Sequence, residues 1–481
     1  MAPNRIIIDT DPGVDDVLAM LLAFSAKPEE LEVLMVSVQF GNVDVQNCLR
    51  NVISLFQHVD NELAWRRENG RPEGFEALKA RKPIVAVGAE EPLAEHLFVA
   101  DFFHGIDGLG GIHHSHPHLT PKETWKSLFQ PAPQNMTPEQ AAELRAVEEE
   151  HSLFTPSLQP AHLEILRLLR ENEPDTITIV AIGPLTNLAT AAATDPECFL
   201  RAKEVVVMGG AIDVPGNPPN LALLHSPTSP IQHIPVPPFH LTKQPDTPLR
   251  RALNVRNQIT PGAEFNVFAD SVAAARVFAL TSPHPKTTMP PVLHGKKKWL
   301  GEYPEALSKR LRVKMFPLDI TSHHLLPRTL FHTHTSSPSL LTSPLSNWSK
   351  LFLNPTFDKI LSLSQCPDPD RVALELHDPL TIYYVLTSDD PGWKFTQDED
   401  VRIETAGQWT RGVCVVDRRG KVVRDVSGDE DGDVMDEVPG DAGGWLDARR
   451  GNRVMRCTGS PDQRGFGGWF LRRVFGEVRR G

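Results

Sequence analysis

The sequence predicts an α/β protein with a mainly parallel central sheet flanked by helices, and three observations carry that prediction. Short β-branched runs alternate with helical patterns, as βαβ units require. The chain has 481 residues, enough for one large domain with insertions. Polar clusters fall where the apolar runs stop, and in parallel sheets ligands bind at the carboxyl ends of strands. The units are read in order: "RIIIDT" then "VDDVLAMLLAFSA", "LEVLMVSVQF" then "VQNCLRNVISLFQHV", and "TITIVAIG" then "LTNLATAAAT", with "EVVVMGGA" following. The C-terminal third is expected to add helices and the last site residues.

Segments of another character interrupt these units. Residues 113–160 are rich in His, Pro and Glu, 218–258 are rich in Pro without sustained periodicity, and 325–370 are partly Ser, Pro and Thr-rich. All three read as loop insertions in a single domain spanning 1–481. The acidic, glycine-punctuated stretch Asp425–Asp441 reads as a solvated loop.

With 49 Lys and Arg against 61 Asp and Glu, the net charge is -12, which argues against a nucleic-acid partner. Five scattered cysteines without CxxC spacing suggest neither a disulfide framework nor a zinc site. No apolar stretch reaches the roughly 18 residues of a membrane span, and the N-terminus lacks a tripartite leader. A soluble, cytoplasmic protein without a membrane partner is expected.

Four carboxylates, Asp9, Asp11, Asp15 and Asp16, stand within eight residues between a strand and an apolar helix. Acids favour the positive end of a helix dipole, but capping accounts for one or two of them. Hard oxygen ligands at this density suit Ca²⁺ or Mg²⁺. An EF-hand is excluded, because Val14 and Met20 stand where its loop needs Gly and Glu.

The segment "DTDPGVDD" resembles the signature of the inosine-uridine preferring nucleoside hydrolases, which cleave N-glycosidic bonds of ribonucleosides. Further segments match in order: "FGN" (40–42), "HGIDGLGG" (104–111), "AIGPLTNLA" (181–189), "VMGGAIDVPGN" (207–217), "EFNVFAD" (264–270), "PLDIT" (317–321), "HDPL" (377–380) and "TRGVCVVD" (410–417).

The resemblance implies one Ca²⁺ held by Asp11, Asp16, the main-chain carbonyl of Ile182 and Asp378. It implies that Asp15, Asn266 and Asp378 bind the ribose 2′ and 3′ hydroxyls, that Asn217 and Glu264 take the 5′ hydroxyl, and that Asn42 supports the calcium-bound water. Asp11 is then the general base, Asp9 fixes the turn, and His377 serves the leaving base as acid. A helix-start histidine bonded to backbone is the other reading of His377. His104 either closes over the substrate or is a plain loop histidine. The cluster His113, His114, His116 and His118 matches no standard metal spacing. A homo-oligomer, dimer or tetramer, and a role in nucleoside salvage also follow from the resemblance alone.

Such chemistry explains the acids. Cleaving C1′–N builds positive charge on the ribosyl ring, which an anionic site stabilises. One departure from the pattern stands out: about forty residues separate Asn217 from "ITPGAEFN", where the family motif runs on almost directly. A lineage-specific loop or a gene-model error accounts for it, and sequencing the transcript decides between them. Two competing readings remain, a haloacid-dehalogenase-like phosphatase and a nucleoside-binding protein that the insertion has disabled.

Overall fold

The computed structural model describes residues 3–94, 97–121, 129, 153–216, 260–290, 300–305, 307–364, 368–420, 440–441 and 443–477. Asn217, the insertion 218–258, most of 113–160 and all but the end of the acidic stretch lie outside them.

Among the described residues the strands are β1 (Asn4–Thr10), β2 (Leu31–Val38), β3 (Ile84–Val87), β4 (Thr155–Pro156), β5 (Ile177–Ala181), β6 (Glu204–Met208), β7 (Val313–Phe316), β8 (Leu325–Pro327), β9 (Ala373–Glu375), β10 (Lys394–Phe395), β11 (Arg402–Ile403), β12 (Cys414–Val415) and β13 (Val454–Gly459). Nine of them form one sheet in the order β10-β13-β7-β6-β5-β1-β2-β3-β4. Only the edge pair β10–β13 is antiparallel in it. Ile6, Ile7 and Ile8 of β1 are fully buried, as a strand covered on both faces requires. The four strands and three helices read from the sequence are all present, the second helix running on to Glu68.

The chain builds outward from β1 through β2, β3 and β4, then returns to the other side of β1 with β5. That reversal makes the carboxyl ends of β1 and β5 the switch point where such sheets bind ligands. Asp11 follows β1 there, and Ile182 follows β5, its N–H donating to the Asp9 carbonyl at 2.8 Å.

The stretch set apart by its Ser, Pro and Thr content, 325–370, carries regular structure over its described part: β8, the helix Arg328–Thr335 and the helix Pro344–Leu363. Its composition marks helix starts. Ser343 caps the second helix by accepting the N–H of Ser346 at 3.1 Å, with Pro344 in the first turn, where a missing N–H does no harm. Phe331, Trp348, Phe352 and Phe357 are buried in the core.

Candidate active site

Between β1 and the helix Val14–Phe24 the chain turns through Asp11, Pro12 and Gly13, and every residue of that helix except Asp15 is buried. Asp16 is held by four donors. Thr10 Oγ1 and the Asp11 N–H reach its Oδ1 at 2.6 and 3.3 Å, and the Gly13 N–H and Asn42 Nδ2 reach its Oδ2 at 3.0 and 2.9 Å. Asp11 differs. Its Oδ2 accepts the Asn42 N–H at 2.7 Å, while its buried Oδ1 has no hydrogen-bond partner. Two glycines make room for this carboxylate: a Cβ on Gly183 would lie 2.5 Å from Oδ1, and one on Gly41 would overlap Oδ2.

Beneath the turn, Asp9 is completely buried and accepts from Ser37 Oγ at 2.5 Å, Gln39 Nε2 at 2.7 Å and Asn187 Nδ2 at 2.9 Å. Burial pushes its pKa to about 7 against the pull of these three donors. Asp9 thus ties β1 to β2 and to the helix Thr186–Thr194, in keeping with a role in fixing the turn.

The helix His377–Leu386 packs against Val14–Phe24 and brings Asp378 in its first turn to Asp15 and Asp16. Oxygens of Asp15, Asp16 and Asp378 lie within 4.8 Å of one another, the one cluster of this kind among the described residues. Burial raises every pKa here, against the pull of its donors at Asp16 and with the help of neighbouring acids at the others: Asp11 and Asp378 go well above the ordinary range, and Asp15 reaches about 6. Such a group favours a cation. The oxygen donors, the unpartnered Asp11 Oδ1 and the space left by Gly41 and Gly183 all fit a hard divalent ion such as Ca²⁺. The Ile182 carbonyl already accepts from Asn266 Nδ2 at 3.2 Å and has a second lone pair for a ligand.

Glu264 caps the helix Phe265–Ala269 and is nearly closed off. Its Oε1 accepts the Asn266 N–H at 2.8 Å, and its Oε2 accepts the N–H groups of Gly210 and Val267 at 2.8 and 3.1 Å. His377 Nε2 meets Glu375 Oε2 at 3.0 Å, and its Nδ1 meets Thr321 Oγ1 at 2.8 Å. Burial lowers the His377 pKa, but Glu375, Asp15 and Glu264 outweigh it and the net shift is upward. The bonds are to side chains rather than backbone. His104 Nδ1 accepts the Val14 N–H at 3.3 Å, so this loop histidine abuts the acidic turn. A Cβ on Gly13 would press on both His104 and Asn42, at 2.8 and 2.7 Å.

Among the described residues, therefore, the sequence-predicted groups gather at one end of the sheet. Of the imidazole cluster, His113 bonds Asn51 and Thr120 and joins no group of metal ligands. No sequence pattern marks Glu375, Thr321 or Thr10 as partners: Thr10 and Thr321 fall within family-like segments, whereas Glu375, two residues before His377 at a strand end, carries no spacing signal.

A family model described as inosine-uridine preferring nucleoside hydrolase matches residues 6–442. The chain belongs to that family. Nucleoside hydrolases are N-glycosyl hydrolases, and this chain is one of them, which removes the phosphatase reading. It is 28% identical over 412 residues to the pyrimidine-specific ribonucleoside hydrolase RihA of Klebsiella pneumoniae, covering 86% of this chain and 88% of that one. It is 34% identical over 215 residues to uridine nucleosidase 1 of Arabidopsis thaliana, 44% of this chain and 47% of that one. Among solved structures, the plant nucleoside hydrolase PpNRh1 superposes with a TM-score of 0.56 at 20% identity, over 98% of this chain and 99% of that one, a likeness of fold. No helix among the described residues is long and apolar enough to cross a membrane.

Proposed function

We propose that this nucleoside hydrolase cleaves uridine- and inosine-type ribonucleosides to ribose and free base, with Ca²⁺ as cofactor. The supporting observation is the unpartnered Asp11 Oδ1 among converging carboxylates. Asp11, Asp16, the Ile182 carbonyl and Asp378 would hold the ion. When bound, it supplies positive charge that offsets the acids, orients the sugar diol and acidifies water.

The remaining chemistry belongs to side chains. Asp11, anchored through Oδ2 on Asn42, turns its other oxygen to the attacking water and takes its proton. Asp15 and Asp378 accept from the 2′ and 3′ hydroxyls. Asn266, with its amino group committed to the carbonyls of Ile182 and Met208, offers its oxygen. Glu264 keeps one acceptor position on Oε1 for the 5′ hydroxyl, shared with Asn217. The ring charge of the oxocarbenium-like transition state is met by this anionic floor. His104 closes the loop over the sugar side. His377 protonates the leaving base, and one of its two side-chain bonds opens as it does so. Assembly as a dimer or tetramer belongs to the same reading and is measured by light scattering.

Chelation is expected to abolish ribose release and lower the melting temperature, and Ca²⁺ to restore both. A hundredfold excess over the dissociation constant stabilises by about 2.7 kcal/mol. The pH dependence has a definite sign. Asp15, raised to about 6, stabilises the metal-free fold when protonated, below the unfolded carboxylate range, and that stability is lost as pH rises through 6. The thermal gain from Ca²⁺ is therefore larger at pH 8 than at pH 5. An active protein free of metal by elemental analysis removes the cofactor assignment.

Glu375→Gln removes the strongest support for the imidazolium of His377. The acid then deprotonates at lower pH, so the alkaline limb of the kcat profile moves to lower pH on uridine. On an aryl riboside whose leaving group needs no proton the profile stays put. Equal shifts on both substrates separate His377 from the acid role.

A further inference from the structure

Asn51 lies on the helix Val45–Glu68, outside the segments that resemble the family's motifs, and is completely buried. Its Nδ2 donates to two carbonyls, Pro12 of the acidic turn at 2.8 Å and Asp107 of the glycine-rich loop at 2.8 Å. Its Oδ1 meets His113 Nε2 at 2.7 Å. Because carbonyl oxygens only accept, the carboxamide orientation is fixed, and Oδ1 must accept from His113. His113 Nδ1 then accepts the Thr120 hydroxyl at 2.8 Å. Burial, which lowers the His113 pKa to about 4, agrees with this neutral ring.

The loop end of the bridge is itself rigid. The Asp107 carboxylate accepts the N–H groups of Leu109, Gly111 and His113 at 3.0, 2.8 and 2.9 Å. Gly108, at φ +82°, lets the loop approach: a Cβ there would lie 2.8 Å from Asn51 Nδ2 and 3.1 Å from the Pro12 carbonyl. The same loop carries His104, whose ring meets the Val14 N–H just beyond the turn.

We propose that Asn51 is a positioning residue that locks the His104 loop to the Asp-Thr-Asp-Pro-Gly turn, so that an ion bound by the turn orders the loop. The proposal rests on the assignment of the carboxylates to a cation and a nucleoside. Coupling of this kind is reciprocal, so a loosened loop weakens nucleoside binding and a loosened turn weakens the ion. Asn51 reaches none of the proposed reacting groups, so its loss acts on affinity before it acts on chemistry.

The test measures amide hydrogen exchange across residues 104–116 in the full-length protein, in chelator and in Ca²⁺, together with kcat and KM on uridine. In the wild type, Ca²⁺ is expected to slow exchange of the loop by ~10-fold or more, within the usual range of coupling between sites. Asn51→Leu, close in volume, is expected to lose most of that response and to raise KM by ~10-fold with kcat within about threefold. His113→Phe, which leaves the Pro12 and Asp107 bonds in place, is expected to show the same changes at smaller size, and it decides the matter should Asn51→Leu fail to fold. A wild-type response kept in full by the variants, with unchanged KM, overturns the coupling alone. A wild-type loop that ignores Ca²⁺ while the ion still raises the melting temperature also overturns the coupling alone, whereas no effect of Ca²⁺ on either overturns the metal assignment beneath it.

Discussion

Asp11→Asn is expected to lower kcat on uridine or inosine by at least ~10²-fold, the low end of general-base contributions, with KM changed far less. The local bonding dictates how the amide sits. Asp11 Oδ2 faces the Asn42 N–H at 2.7 Å, so the asparagine must keep its oxygen there and place its NH₂ where Oδ1 stood. That position, unpartnered in the native protein, would then hold a donor that cannot take a proton from water. The fold should tolerate the change, because the Asn42 bond survives and one buried charge is removed. Steady-state kinetics at saturating substrate check the prediction, and a kcat within a few-fold of wild type would move the base role to another residue.

Removal of a single substrate hydroxyl is expected to cost more. Asp15, Asp378 and Asn266 are all buried or half-buried groups proposed to face the 2′ and 3′ positions. Polar groups matched to a hydroxyl are left unpaired by an analogue lacking it, and such sites discriminate strongly. The kcat/KM for 2′-deoxyuridine should therefore fall below that for uridine by ~10³-fold or more. Uridine 5′-monophosphate should also be a poor substrate. Glu264 has three of its acceptor positions filled by backbone N–H groups, so it cannot turn away from a phosphate at the 5′ position. Rates for uridine, inosine, 2′-deoxyuridine and the monophosphate, measured side by side, test both statements. Comparable turnover of either poor substrate would void the ribose assignments while leaving the family membership intact.

Local sequence decides the frame of the site. A run of isoleucines ending in Asp-Thr-Asp-Pro-Gly and followed by an apolar helix can only place its acids at a strand end and in a first helical turn. The β1–helix unit has that form. The ordered segments from "FGN" to "HDPL" likewise identify the family, and with it the fold class and the residues to inspect. Composition was a weaker guide where side chains had tertiary tasks. The Ser and Pro content of 325–370 marks helix starts in a segment that supplies Trp348 and Phe352 to the core.

What the sequence by itself determined is the type of protein: an α/β nucleoside hydrolase with an acidic turn at the head of its sheet. What only the tertiary structure decided is which atoms remain available. Asp11 and Asp16 are both buried aspartates five residues apart, yet four donors hold one in place while an oxygen of the other is left unpartnered. His377 is joined to Glu375 and Thr321, and Asn51 to Pro12, Asp107 and His113, by contacts that no spacing encodes. The reason is physical. Periodicity and motif report the backbone path and the buried face of each element. The partner of a buried polar atom is chosen by every segment that packs around it, and the fold brings these together from separate places in the chain.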